Sequence, residues 1–297
     1  MPNTAGLESD ITTGEEQALK QIRFAQITDT HLRSHGAPDM MAPIFDKLPD
    51  SDEALASVFD ELDSKDLDFV IACGDLIHEG TSDDYARLKK LTDEHLKHTP
   101  IYVCLGNHDR KAAFYEGFLA ERGVSDKPYY YAAEIQGLRI IALDSACSGG
   151  EVGAFAEEEL DWLTDVLKTP AERGTVLFYH HPIAWGIEQM AMQVPAALEN
   201  VLENSDVLAI FDGHTHMNDI RHVCNVPQVT ADSTLFGCRF TPEKLVFTDE
   251  AGYNLCSLDE SGLSVRSVPL YPKPCEVASV DIAAIMQALN PDQKKGR

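Results

Sequence analysis

No stretch of the 297 residues approaches the roughly 18 uncharged apolar positions that a membrane-spanning helix needs. Basic residues are scarce, with 24 Lys and Arg against 49 Asp and Glu, for a formal charge of −25. Such a surface repels nucleic acid and anionic lipid at long range, so neither is an expected partner. The segment from Met1 to Gln21 lacks the basic opening and apolar centre of a signal peptide. The seven cysteines are odd in number and widely scattered, and Cys73 and Cys104 fall inside apolar runs as small hydrophobes. A reduced, cytoplasmic setting is therefore the expectation. Internal repeats and low-complexity tracts are absent as well.

What the chain does have is a series of apolar runs that end on polar motifs. Residues 22–28 read as a strand ending at Asp29-Thr30-His31, and 68–73 as one ending at Gly74-Asp75. Residues 101–105 lead into Gly106-Asn107-His108-Asp109, 175–179 into His180-His181-Pro182, and 207–211 into Gly213-His214-Thr215-His216. Helices are expected over 52–64 with Ser51 as N-cap, from Ser82 to before Thr99-Pro100, and over 155–168. Strands near 129–134 and 138–143 flank a Gln136-Gly137 hairpin turn. From Asp219 to about Val268 the helical period vanishes, and a β-meander completing a second sheet is expected. The implied class is α/β: two mixed sheets stacked between helical layers in a four-layer α-β-β-α sandwich. A polar extension over 1–21, one domain over 22–272 and a tail over 273–297 with a short helix complete the expected organisation.

Carboxylate, amide and imidazole side chains thus recur at strand ends, where an α/β sheet presents its chemistry. Alone, Asp-x-His or Gly-Asp is an ordinary loop or turn; five such motifs in order are not. A pair of divalent ions about 3.5–4 Å apart needs many ligands and a carboxylate shared between them. Asp75 suits the shared position, because Gly74 allows a tight turn at the strand end. Ligands of these types suit Mn²⁺, Fe²⁺/Fe³⁺ or Zn²⁺, and no motif contains the cysteines of a structural zinc site.

The ordered set Asp-x-His, Gly-Asp, Gly-Asn-His-Asp, His-x-Pro and Gly-His-x-His resembles the calcineurin-like metallophosphoesterase superfamily over residues 22–217. Asp29-Thr30-His31-Leu32, His180-His181-Pro182 and Gly186-Ile187-Glu188-Gln189-Met190 look like its class III cyclic nucleotide phosphodiesterase and glycerophosphodiesterase branch. The resemblance implies a first metal site of Asp29, His31, Asp75 and His216, and a second of Asp75, Asn107, His180 and His214. It implies hydrolysis of a small phosphate ester by a hydroxide held between the ions. His108 would serve the leaving alkoxide, with Asp109 orienting it. A 3',5'-cyclic nucleotide is the favoured substrate, and a glycerophosphodiester the alternative. A non-catalytic scaffold on the same fold is the alternative of another class, disfavoured because no ligand is missing. A homo-oligomer is expected by analogy alone.

Protein phosphatases of the superfamily carry Asp-Arg-Gly after the second motif; here Leu76-Ile77-His78-Glu79-Gly80 lacks that arginine. His181 reads as a supporting or packing residue and not a ligand. His35 and His78 follow ligand-bearing strands and are candidates for substrate contact, whereas His95 and His98 belong on a solvated helix face. Trp185 and Met190 are candidate pocket walls.

Overall fold

Alternate side chains of the central strands are apolar on both faces, which demands packing on both sides. The computed structural model describes residues 20–34, 41–124, 127–146, 150, 152–183, 185, 191–192, 195–270 and 276–283. The chain runs through β1 (Ile22–Ile27), β2 (Leu32–Arg33), α1 (Ala42–Phe45), α2 (Ser51–Asp63), β3 (Phe69–Cys73) and β4 (Ile77–His78). There follow α3 (Ser82–His95), β5 (Ile101–Cys104), α4 (Lys111–Gly117), β6 (Tyr131–Ile135), β7 (Leu138–Ala142) and α5 (Glu157–Leu167). Next come β8 (Thr175–Phe178), α6 (Ala196–Glu203), β9 (Val207–Asp212), β10 (Asp219–Val223) and β11 (Val226–Thr230). Last are β12 (Gly237–Phe240), β13 (Lys244–Thr248), β14 (Gly252–Asp259), β15 (Gly262–Pro269) and β16 (Glu276–Asp281).

Two large sheets result, in the orders β15-β14-β1-β3-β5 and β10-β11-β9-β8-β7-β6. Their inner faces meet through Ile22, Phe24, Phe69 and Ile71 against Ile140, Val176, Phe178 and Phe211. Phe24 stacks on Phe69 with ring centroids 4.7 Å apart. Each such side chain, fully buried, contributes on the order of 2 kcal/mol. The outer face of the first sheet (Ala25, Ile27, Val70, Ala72, Val103) is covered by Leu55, Val58 and Phe59 of α2, Leu88 of α3 and Phe114 of α4. Leu163 of α5 and Leu198 and Val201 of α6 cover Ile141, Leu177 and Ile210 of the second. The four-layer sandwich is therefore present.

Helix ends follow local chemistry with small shifts from expectation. The cap of α2 is Asp50, which accepts from the Asp52 and Glu53 N–H groups at 3.0 and 3.1 Å. Ser51 instead accepts from the Arg33 N–H at 3.0 Å, tying the chain after β1 to the helix. Thr81 and Asp84 form a capping box at the start of α3.

The stretch 219–268 does not complete one sheet, as the meander reading had it. β10 and β11 extend the second sheet, β14 and β15 extend the first, and β12 and β13 form a small sheet with β16. β14 lies beside β1 because Cys256 and Leu258 complete the inner apolar face there. Periodicity gives a strand its faces but not its neighbour. β16 lies within the expected tail, and the helix expected beyond it falls outside the described residues after Ala283, as does Gly186 to Met190.

One polar residue crosses the apolar seam. Gln26, buried on the inner face of β1, donates to the carbonyls of Asp212 at 2.8 Å and Val229 at 3.1 Å and accepts from Asn254 at 2.9 Å. It locks the first sheet to the second near their shared edge.

A second buried polar group is costly. Glu159, at 0% exposure, accepts from the Asp144 N–H at 2.6 Å, but its other oxygen has no hydrogen-bond partner. Burial pushes its carboxyl from 4.5 up to about 8. Below pH 4.5 the group is protonated folded or unfolded; above it only the unfolded chain ionises, so stability falls as pH rises toward 8. Glu159→Gln should remove that loss, gaining on wild type by up to about 1.4 kcal/mol per pH unit. Urea unfolding of both proteins from pH 5 to 8 checks this; a constant difference would refute it.

Candidate metal centre

The polar motifs sit at the C-terminal ends of parallel strands. β1 pairs parallel with β3, β3 with β5, and β8 with β9, so both sheets point these ends to one edge. The chain leaves the strands in unusual conformations: Asp29, His31, Asp75, His214 and His216 have φ between 40° and 70°. Left-handed backbone at bulky residues costs on the order of 1 kcal/mol or more each. Cross-loop bonds enforce it: Asp29 N–H to the Gly74 carbonyl at 3.0 Å, His31 N–H to that of Asp75 at 2.9 Å, and Gly213 N–H to that of His180 at 3.0 Å. Gly74 itself turns at φ +87°. At Gly106 a Cβ would collide with the Asp75 carboxylate, so glycine is required for close approach.

Asp29, His31 and His216 form one group. One oxygen of Asp29 (Oδ2) accepts from the Thr28 hydroxyl at 2.7 Å and the His214 N–H at 2.9 Å. The other, Oδ1, is buried without a hydrogen-bond partner, 3.1 Å from His216 Nε2. His31 Nε2 lies 3.2 Å from His216 Nε2. His216 Nδ1 donates to the Phe236 carbonyl at 2.8 Å, which turns Nε2 into the group.

Asn107, His180 and His214 form the second. His180 Nδ1 donates to the Cys73 carbonyl at 2.8 Å, and its Nε2 lies 3.1 Å from Asn107 Oδ1. His214 Nε2 is buried with no hydrogen-bond partner. Asp75 stands between the groups. Its Oδ1 accepts from the His108 N–H at 2.9 Å, while Oδ2 lies 3.6 Å from His31 Nε2 and 3.3 Å from His180 Nε2.

This donor set fits a pair of cations. Two donors each about 2.1 Å from one ion and 90–110° apart are separated by roughly 3.0–3.4 Å, close to the spacings above. The electrostatics agree for the carboxylates and for two of the imidazoles. Burial raises the Asp29 carboxyl, but the facing His216 imidazole outweighs it and holds the group ionised. Burial likewise raises Asp75, and the charges of His180 and His108 outweigh it. Burial pushes His31 down and His214 down to about 3, leaving both imidazoles neutral. For His180 burial lowers, but Asp75 prevails and raises it to about 10, so a cation held there would have to displace the Nε2 proton.

The structure thus brings together all seven residues assigned to metal sites, together with His108. It does not bring Asp109 to His108. Asp109 accepts from the N–H groups of Leu76 (3.1 Å), Ile77 (3.2 Å) and Gly106 (2.9 Å) and from the Tyr85 hydroxyl (2.7 Å). It clamps two loops to one another, and burial pushes its carboxyl up to about 6. The carboxylate beside His108 is Glu79, whose Oε1 lies 3.4 Å from Nδ1. Its Oε2 accepts from Arg110 Nε at 3.0 Å. Sequence reasoning missed Glu79, for which its position four after Asp75 is the available signal.

His78 is buried with Nδ1 3.3 Å from His31 Nδ1 and its ring 4.4 Å from that of His108, so it supports the centre from behind. His95 pairs with Asp60 at 2.9 Å on a helix surface. Trp185 packs edge-on to Phe240 at 5.2 Å, while His35 and Met190 lie outside the described residues. Among the described residues no helix is long and apolar enough to cross a membrane.

A family model described as calcineurin-like phosphoesterase matches residues 22–218. A protein of Rhodococcus erythropolis named probable cyclic nucleotide phosphodiesterase is 32% identical over 72% of this chain and 71% of its own length. One of Arcobacter nitrofigilis named probable glycerophosphodiester phosphodiesterase is 31% identical over 64% of this chain and 70% of its own. A solved dimetal phosphatase from Danio rerio shares the fold with a TM-score of 0.54 at 13% identity, covering 86% of this chain and 100% of that one. The matched segment begins at β1, ends just past β9 and includes every strand end that carries a candidate ligand, and the chain belongs to the calcineurin-like phosphoesterase family.

Proposed function

We propose that this protein hydrolyses a small phosphodiester, a 3',5'-cyclic nucleotide before a glycerophosphodiester. The observation that carries the reading is the position of Asp75, one oxygen facing both donor groups. The relative of Rhodococcus erythropolis, by its name, favours the cyclic nucleotide; the one of Arcobacter nitrofigilis favours the second reading. Two metal cations, Mn²⁺, Fe²⁺/Fe³⁺ or Zn²⁺, would supply when bound a polarised phosphoryl group and an acidified water. Asp29, His31, Asp75 and His216 would hold one, and Asp75, Asn107, His180 and His214 the other.

The chain's own residues do the rest. Asp29 and Asp75, ionised and pinned on one oxygen each, concentrate negative charge where the cations belong. His108, partly exposed at the edge of the centre, hands a proton to the leaving alkoxide. Glu79 accepts from His108 Nδ1–H, so Nε2 is the nitrogen directed at the leaving group. A scaffold has no need of buried, unmatched donor atoms such as Asp29 Oδ1 and His214 Nε2.

Turnover of a panel of cyclic nucleotides, glycerophosphodiesters and bis(p-nitrophenyl) phosphate with Mn²⁺, Fe²⁺ or Zn²⁺ tests the assignment. Cyclic nucleotides should be the best natural substrates; no turnover with any metal would favour the scaffold. Asn107→Ala should lower kcat by orders of magnitude with unchanged circular dichroism, and near-normal activity would remove Asn107 from the second site. Glu79→Gln should slow esters with poor alkoxide leaving groups by about tenfold to a hundredfold and p-nitrophenyl esters much less. Equal slowing of both classes would deny Glu79 a part in leaving-group protonation.

A further inference from the structure

We propose that His181 is a hydrogen-bond donor, through Nε2, to a phosphoryl oxygen of the substrate on the His180–His214 side of the centre. The proposal rests on the phosphodiesterase reading and deepens it by adding a binding residue. His181 is at 0% exposure, and its Nε2 is buried without a hydrogen-bond partner. A donor atom from each of His180, His181 and His214 lies within 4.8 Å of the other two. The His181 and His214 rings are 4.7 Å apart.

An orphaned imidazole nitrogen at such a place is either a further metal ligand or a donor to an oxygen, and the tautomer decides. Ser145 Oγ accepts from the backbone N–H of His180 at 3.2 Å and of His181 at 3.1 Å. These bonds occupy both lone pairs of the hydroxyl, so its own proton is directed to His181 Nδ1, 2.9 Å away. Nδ1 is then an acceptor, and the neutral ring carries its hydrogen on Nε2. A nitrogen bearing hydrogen cannot ligate a cation; it can hold an oxygen.

The ring is fixed in this role. Gly153 packs its backbone on the His181 ring so closely that a Cβ there would collide with it. Ser145 follows Asp144, whose carboxylate is paired with Lys111 at 2.9 Å in a buried contact. With Nδ1 committed to Ser145, Nε2 is the nitrogen left for the His180–His214 group. Its N–H has no partner among the described residues, which suits it to an anionic oxygen bound at the centre.

Calorimetric titration of the Mn²⁺-loaded protein with inorganic phosphate tests the assignment. His181→Asn retains a partner for Ser145 but falls short of the Nε2 position, whereas His181→Gln places an amide N–H near it. The Asn variant should bind phosphate about tenfold to a hundredfold more weakly. The Gln variant should keep most of the wild-type affinity, and metal analysis should find two ions per chain in both. Equal phosphate affinity in all three proteins overturns the proposal. Loss of one ion from the Asn variant also overturns it, by making His181 a ligand. If wild type itself fails to bind two ions, the phosphodiesterase reading falls, and this inference with it.

Discussion

Everything at the candidate centre depends on the carboxylate of Asp75. Its Oδ1 is held by the His108 N–H, and its Oδ2 is left between His31 on one side and His180 on the other. An anion buried at 2% exposure is tolerable only beside compensating charge. The imidazoles supply part of that compensation, and their donor atoms converge on the same small volume. The close approach of Gly106 to Asp75, and the turn at Gly74, exist to admit this carboxylate. A side chain at Gly106 would displace that carboxylate, and one at Gly74 would collide with the His180 side chain.

Each donor group draws on both sheets. Asp29, His31, Asp75 and Asn107 follow β1, β3 and β5 of the first sheet, whereas His180, His214 and His216 follow β8 and β9 of the second. Packing of the sheets is therefore the same event as assembly of the centre. The Phe24, Phe69 and Phe211 contacts set the spacing, and Gln26 sets the register between β1 and the ends of β9 and β11. Left-handed backbone at five of these residues is sustained because cross-loop hydrogen bonds and apolar packing over-determine it.

The candidate metal ligands were legible because each is a polar residue placed just after an apolar run, and strand ends are where such folds display chemistry. The layers were legible as well: the unbroken apolar run Phe69–Cys73 leaves no face of β3 for water. The role of Asp109 was not, since adjacency to His108 in sequence says nothing of direction. After Asn107 the chain turns, and Asp109 points back to the N–H groups of Leu76 and Ile77, while Glu79 comes to His108 from another loop. Partners joined across loops leave no periodic trace. The strands after Asp219 failed likewise: their apolar pattern is compatible with either sheet, and only the unfilled inner face beside β1 decides for β14.

The acidity of the chain then acquires a physical meaning for substrate choice. A formal charge of −25 repels anions, but a Debye length of about 8 Å at physiological salt confines that repulsion near the surface. A polynucleotide meets it at every phosphate along its length, and the cost accumulates. A small diester carries a single negative charge and meets it once. Inside the centre the balance reverses, since bound cations are the largest local charges and dominate the field at contact distance. On the proposed function, surface and site would act as successive filters: the first against extended polyanions, the second for one phosphoryl group at the centre.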